Sequence, residues 1–117
     1  MIENIYAVWV YVRDLGESRR FYEDALGLEV RPQDGDWIEF DTGETAFALL
    51  HRKPEDGPVT PQKTHIMFRV VSIDDAKARL EEHGVRIIGD IRCEPYGTLL
   101  TFEDPNGHWL ELFEPAE

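Results

Sequence analysis

Four side chains able to move protons, hold a metal or grip an anion stand on stretches that read as short strands: His51, His65, Arg69 and Glu111. In "GHWLELFEP", residues 107–115, alternation places Trp109, Glu111 and Phe113 on one face and Leu110 and Leu112 on the other. A carboxylate between two aromatics is a candidate ligand, a candidate base, or one more charge on an acidic chain. In "THIMFRV" the same alternation groups His65, Met67 and Arg69. An imidazole beside a carboxylate makes an acid/base pair or an ordinary hydrogen-bonded pair. Arg69 suits an anionic substrate group and equally a neighbouring acid.

The elements that must position these groups occur twice. "AVWVYVRDLGESRRFYEDALGLEV" reads as strand, cap, helix, glycine and strand. Asp14 and Glu17 form a capping-box-like start, Leu15, Ser18, Tyr22 and Ala25 recur at helical spacing, and Gly27 stands where a left-handed C-cap belongs. "HIMFRVVSIDDAKARLEEHGVRI" repeats this order with Ser72 as cap, Ile73, Ala76 and Leu80 as apolar stripe, and Gly84 as terminator. "WIEFDTGETAFALLH" (37–51) then lies over "LLTFEDPNGHWLELF" (99–113) without a gap, pairing Phe40 with Phe102 and Leu49 with Glu111. Turn signals "DGD", "DTGE" and "DPNG" separate the strands.

Each half is therefore expected to be β-α-β-β-β, in an α+β fold. Module one covers 1–52, a Pro- and acid-rich linker 53–62, and module two 63–117, together forming one domain. Alternation assigns Val8, Val10 and Val12, and likewise Ile66, Phe68 and Val70, to the helix side. The opposite faces are expected to carry Ala7, Trp9, Tyr11, Phe47, Leu49 and His51 from module one. Module two contributes His65, Met67, Arg69, Trp109, Glu111 and Phe113. Mostly apolar with a few polar groups, that set has the composition of a small-molecule pocket. Trp37 adds a further aromatic, and Tyr96 and Gly97 are candidates for the pocket mouth.

Composition narrows the partners. A formal net charge of −12 over 117 residues repels phosphate backbones and anionic membranes, so neither nucleic acid nor a membrane is expected. Cys93 is alone, which excludes a disulfide framework and favours an inert small side chain. The N-terminal "IYAVWVYV" is too short to span a bilayer and lacks a signal-peptide flank, giving a cytoplasmic expectation.

Taken in order, "VRDLGESRRFYEDALGLEV", "THIMFRV" and "FEDPNGHWLELFEP" resemble the vicinal oxygen chelate superfamily, which includes glyoxalase I, extradiol dioxygenases, fosfomycin-resistance proteins and bleomycin-binding proteins. The resemblance implies two βαβββ modules whose curved mixed sheets enclose a cavity, commonly in a homodimer. It also implies a divalent cation (Zn, Ni, Mn or Fe) held by the first and last strands of each module. His65 and Glu111 match that pattern; Ala7 and Leu49, at the module-one positions, carry no donor. Such sites usually take three protein ligands, so His51 is the candidate third donor, with Glu39 and Asp41 behind it. Two functions follow as expectations. One is a glyoxalase-like lyase or dioxygenase-like enzyme with an atypical metal site and His65 and Glu111 as catalytic groups. The other is a metal-free protein that sequesters a cationic or aromatic small molecule.

Overall fold

Alternating β-branched residues produce the first strand, β1 (Ala7–Val12), with Val10 and Val12 buried and Trp9 left exposed. The computed structural model describes residues 1–31 and 35–117, which fall into two compact units, Met1–Val59 and Thr60–Glu117. In the first, Asp14 ends β1's exit turn and accepts a hydrogen bond from the Glu17 amide at 2.9 Å, capping α1 (Leu15–Arg20). The helix widens into a π turn over Phe21–Ala25, and Gly27, at φ +73°, lets the Leu28 amide return to the Tyr22 carbonyl. Ser18, Tyr22 and Ala25 form the buried stripe. Strands β2 (Glu29–Val30), β3 (Trp37–Asp41) and β4 (Ala46–His51) complete a mixed sheet of order β1-β4-β3-β2, with β1 and β4 parallel. The expected "DGD" turn begins at Asp34, outside the described residues.

The second unit repeats the plan. β5 (Lys63–Arg69) leads to α2 (Ile73–Glu82), capped by Ser72 and closed by Gly84 at φ +69° with the Val85 amide bonded to the Leu80 carbonyl. β6 (Arg86–Glu94), β7 (Gly97–Glu103) and β8 (Trp109–Pro115) follow, in the order β5-β8-β7-β6 with β5 and β8 parallel. Two βαβββ modules with mixed four-stranded sheets make this an α+β fold. No helix among the described residues is long and apolar enough to cross a membrane.

Each module has its own core on the helix side of its sheet. In the first, the Tyr22 ring lies 5.7 Å from Phe40 and 5.0 Å from Phe47, all three buried. Burying each ring contributes roughly 2–3 kcal/mol. In the second, Leu80, Leu100, Phe102, Leu110 and Leu112 are buried.

Register corrects one expectation. Phe40 pairs with Phe47, whereas Phe102 pairs with Leu110, so the second β hairpin is one residue longer. A one-residue difference moves every later side chain to the other face. Phe47 meets Tyr22 on the helix side, and Leu49, in register with Val10 and Ile38, is buried on that side. His51, in register with Val12, also falls there, with its Nδ1 3.6 Å from Asp36 Oδ1. None of the three stands on the expected pocket face. Ala46, Ala48 and Leu50 take their places, and Ala48, not Leu49, is the counterpart of Glu111.

Candidate functional site

The face of the second sheet turned away from α2 is laid out in rows. Lys63, Trp109, Glu103 and Arg86 form one; Met67, Glu111, Thr101 and Ile88 the next; Arg69, Phe113, Leu99 and Arg92 the third. The longer hairpin that sets this face is built by "DPNGH". Asp104 Oδ1 accepts from the amides of Asn106 and His108 at 2.9 Å each, and His108 Nδ1 accepts from the Gln62 amide at 3.1 Å. Asp104, Asn106 and His108 are all buried. That turn fixes where β8 starts and therefore where Glu111 points.

Both edge strands bulge beside the middle row. The β5–β8 register shifts between Lys63 and Met67, and the β6–β7 register between Ile88 and Arg92. Bulges re-aim side chains and are common next to active sites. Here they bring His65 and Arg92 to the same carboxylate from opposite sides. His65 Nδ1 stands 3.9 Å from Glu111 Oε1, and Arg92 Nη2 donates to Glu111 Oε2 at 3.0 Å and to Thr101 Oγ1 at 3.2 Å. The Glu111 side chain is 15% exposed, Arg92 50% and His65 94%. His65 is also the one non-glycine residue at positive φ, +50°, among the described residues. Holding an L-residue there costs about 1–2 kcal/mol, and such outliers gather at functional sites.

Aromatic surface surrounds this centre. Lys63 Nζ lies 4.6 Å above the Trp109 ring, and Trp109 Nε1 donates to Glu103 Oε1 at 3.2 Å. Phe113 packs 6.1 Å from Tyr96, and its ring covers Gly97, where a Cβ would come within 2.6 Å. Met67 is exposed beside Glu111. Cys93, also exposed, takes no part in these contacts.

On the equivalent face of module one stand Ala7, Trp9, Tyr11, Trp37, Glu39, Ala48 and Leu50. Trp9 contacts Tyr11 at 5.0 Å and Trp37 at 6.2 Å. Glu39, 5% exposed, accepts from Trp37 Nε1 at 2.8 Å, Tyr6 Oη at 3.1 Å and Arg31 Nη1 at 3.3 Å. The Trp37 bond, aided by Tyr6 and Arg31, holds its carboxyl below the usual range against the opposing effect of burial. Asp41 is engaged by Arg31 at 3.4 Å.

These donors do not fit a resident divalent metal. Among the described residues, no group of three His, Cys, Asp or Glu side chains is placed to hold one. Module two supplies an imidazole and a carboxylate, and a guanidinium already occupies the carboxylate. An open catalytic site ordinarily needs three protein ligands. Arg92 is the neighbour of Glu111 that strand alternation missed. Gly89 in "IIGDIRCE", at φ +71°, was the available signal, since glycine inside a strand marks a bulge.

The duplicated βαβββ plan thus carries a polar centre on the open face of its second module. Residues 4–112 match the Glyoxalase/Bleomycin resistance protein/Dioxygenase superfamily, and the chain belongs to it. It is 30% identical to the glutathione transferase FosA of Serratia marcescens, over 96% of this chain and 81% of FosA. Among solved structures, the oxidase ChaP-H2 is 31% identical with a TM-score of 0.80, covering 99% of this chain and 96% of that one. TnmS3, an antibiotic binding protein from Streptomyces sp. CB03234, is 26% identical with a TM-score of 0.81, covering 98% of both chains.

Proposed function

We propose that this chain is a small-molecule binding protein that takes an aromatic ligand on the open face of module two without a resident divalent metal. The observation that carries this reading is the 3.0 Å Arg92–Glu111 ion pair. It neutralises the carboxylate that a metal would need, and a guanidinium remains charged at every physiological pH. Trp109 and Phe113 offer ring surface, Met67 an adaptable apolar contact, and Arg69 a charged end. In module one, Trp9 and Tyr11 carry a second aromatic surface. The antibiotic-binding relative TnmS3 supports a sequestering role.

The His65–Glu111 approach favours a second reading, glyoxalase-like or dioxygenase-like catalysis, with the missing donors drawn from a second copy in a homodimer. FosA and ChaP-H2, both named as enzymes, support it. The two separate on metal content. After reconstitution with Zn²⁺, Ni²⁺, Mn²⁺ or Fe²⁺ and dialysis, elemental analysis is expected to find no stoichiometric metal, while Trp fluorescence responds saturably to aromatic compounds. One metal per chain, lost in Glu111→Gln, would overturn the binding reading in favour of the enzyme.

A further inference from the structure

We infer that the ligand of this face is an aromatic carboxylate, with Arg92 as its primary anchor. The inference rests on the binding reading above and sharpens it. The chain as a whole carries −12, which would favour cations, yet the open face of module two has the opposite local balance. Three acids stand on its rows, Glu103 held by Arg86 at 3.3 Å and the Trp109 indole, Glu111 held by Arg92, and the exposed Glu94 one row beyond Arg92, against the four cations Lys63, Arg69, Arg86 and Arg92. Its surplus is cationic. Arg69 has no hydrogen-bond or ion-pair partner among the described residues, and Lys63 is held only over the Trp109 ring. Exposed charges farther away than about 8–10 Å are largely screened, so contact-range groups decide the sign of the ligand.

Arg92 has the geometry for the task. A single nitrogen, Nη2, makes both of its bonds, to Glu111 and Thr101. Nη1, which carries two N–H groups, and Nε have no partner among the described residues; they lie on different edges of the guanidinium, so an incoming carboxylate takes single charge-assisted bonds, with Nη1 as the open donor. Glu111 and Thr101 then act as positioning residues, fixing the guanidinium plane. Arg92 shares its row with Leu99, Phe113 and Arg69, so the acid end of a ligand on Arg92 brings its ring over Leu99 and Phe113. Three strand spacings of about 4.8 Å separate the two arginine backbones, a span that a fused two-ring acid fills once the side chains lean inward.

The test is calorimetric titration of the full chain with three probes of one shape: 2-naphthoate, 2-naphthamide and (2-naphthylmethyl)trimethylammonium. Naphthoate is expected to bind at least about ten-fold tighter than the amide, and the ammonium weakest. Arg92→Gln should bring naphthoate down to the amide's affinity while leaving amide binding intact, and Arg92→Lys should restore part of the difference. Arg69→Gln, which disturbs no internal bond, should weaken naphthoate by about three-fold, and it guards against a folding defect in the Arg92 variants. Equal binding of acid and amide, a preference for the ammonium, or an acid preference that survives Arg92→Gln would overturn the inference and leave the binding reading standing. Silence from all three probes would remove both.

Discussion

Glu39 in the first module and Glu111 in the second both stand on the sheet face turned away from the helix, but on different strands. In module one the row runs Trp9, Ala48, Glu39; in module two it runs Met67, Glu111, Thr101. The carboxylate has exchanged places with a small residue across one strand pair. On β3, Glu39 is sealed by an indole, a phenol and a guanidinium. On β8, Glu111 meets an arginine with spare donors and an exposed histidine. The frame is thus the same in both modules, while one carboxylate is sealed among three donors and the other keeps a half-exposed arginine and an exposed histidine as neighbours.

The largest effect tests the hairpin difference that causes this exchange. Phe47→Ala is expected to lose about 3–5 kcal/mol of stability in urea unfolding, because its ring belongs to the Tyr22 core. Met67→Ala, on the open face of the other module, should lose less than about 1 kcal/mol, since that side chain is exposed. A Phe47→Ala protein within about 1 kcal/mol of the parent would return Phe47 to the open face and undo the register assignment.

Next come the two carboxylates themselves. Glu39→Gln should cost about 1–3 kcal/mol at neutral pH, since a buried amide cannot satisfy three donors as a carboxylate does. Glu111→Gln should cost about 0–1 kcal/mol, because Arg92 is half exposed and solvent screens the pair. The pH dependence has a fixed sign. The folded state lowers Glu39's pKa from its ordinary 4.5, so its contribution is complete above that value and disappears as pH falls through the lower folded value. The stability gap between parent and Glu39→Gln should therefore narrow on acidification. A gap that widens in acid would mean that Glu39 is not held as a stabilised anion.

Much of the frame was legible in the chain. Asp14 and Ser72 cap the helices, Gly27 and Gly84 end them, and alternation on β1, β5 and β8 reported the correct faces, because each signal is local. The β4 face was not legible. A gapless match between "DTGETAF" and "EDPNGHW" hides a hairpin that differs by one residue, and register depends on pairing across strands. His65 and Glu111 were readable as neighbours from their strand positions. Arg92 was not, since its approach to Glu111 depends on a bulge that alternation does not represent.

The last test sets the β5 bulge at His65 against the regular β1 strand of the other module. β1 pairs with β4 without interruption from Ala7 to Val12, whereas β5 breaks register around His65 and holds it at φ +50°. In an extended strand, valine is favoured over glycine by up to about 1 kcal/mol. Ala7→Val should therefore be more stable than Ala7→Gly. At position 65 the order should reverse, with His65→Gly more stable than His65→Val by about 1–2 kcal/mol, because a β-branched residue is strained at positive φ and glycine is not. Thermal unfolding of the four variants gives both signs. The same order at both sites would mean that β5 relaxes to a regular strand when its histidine is removed. Opposite orders would show the bulge to be a property of the backbone, held in place before any ligand arrives.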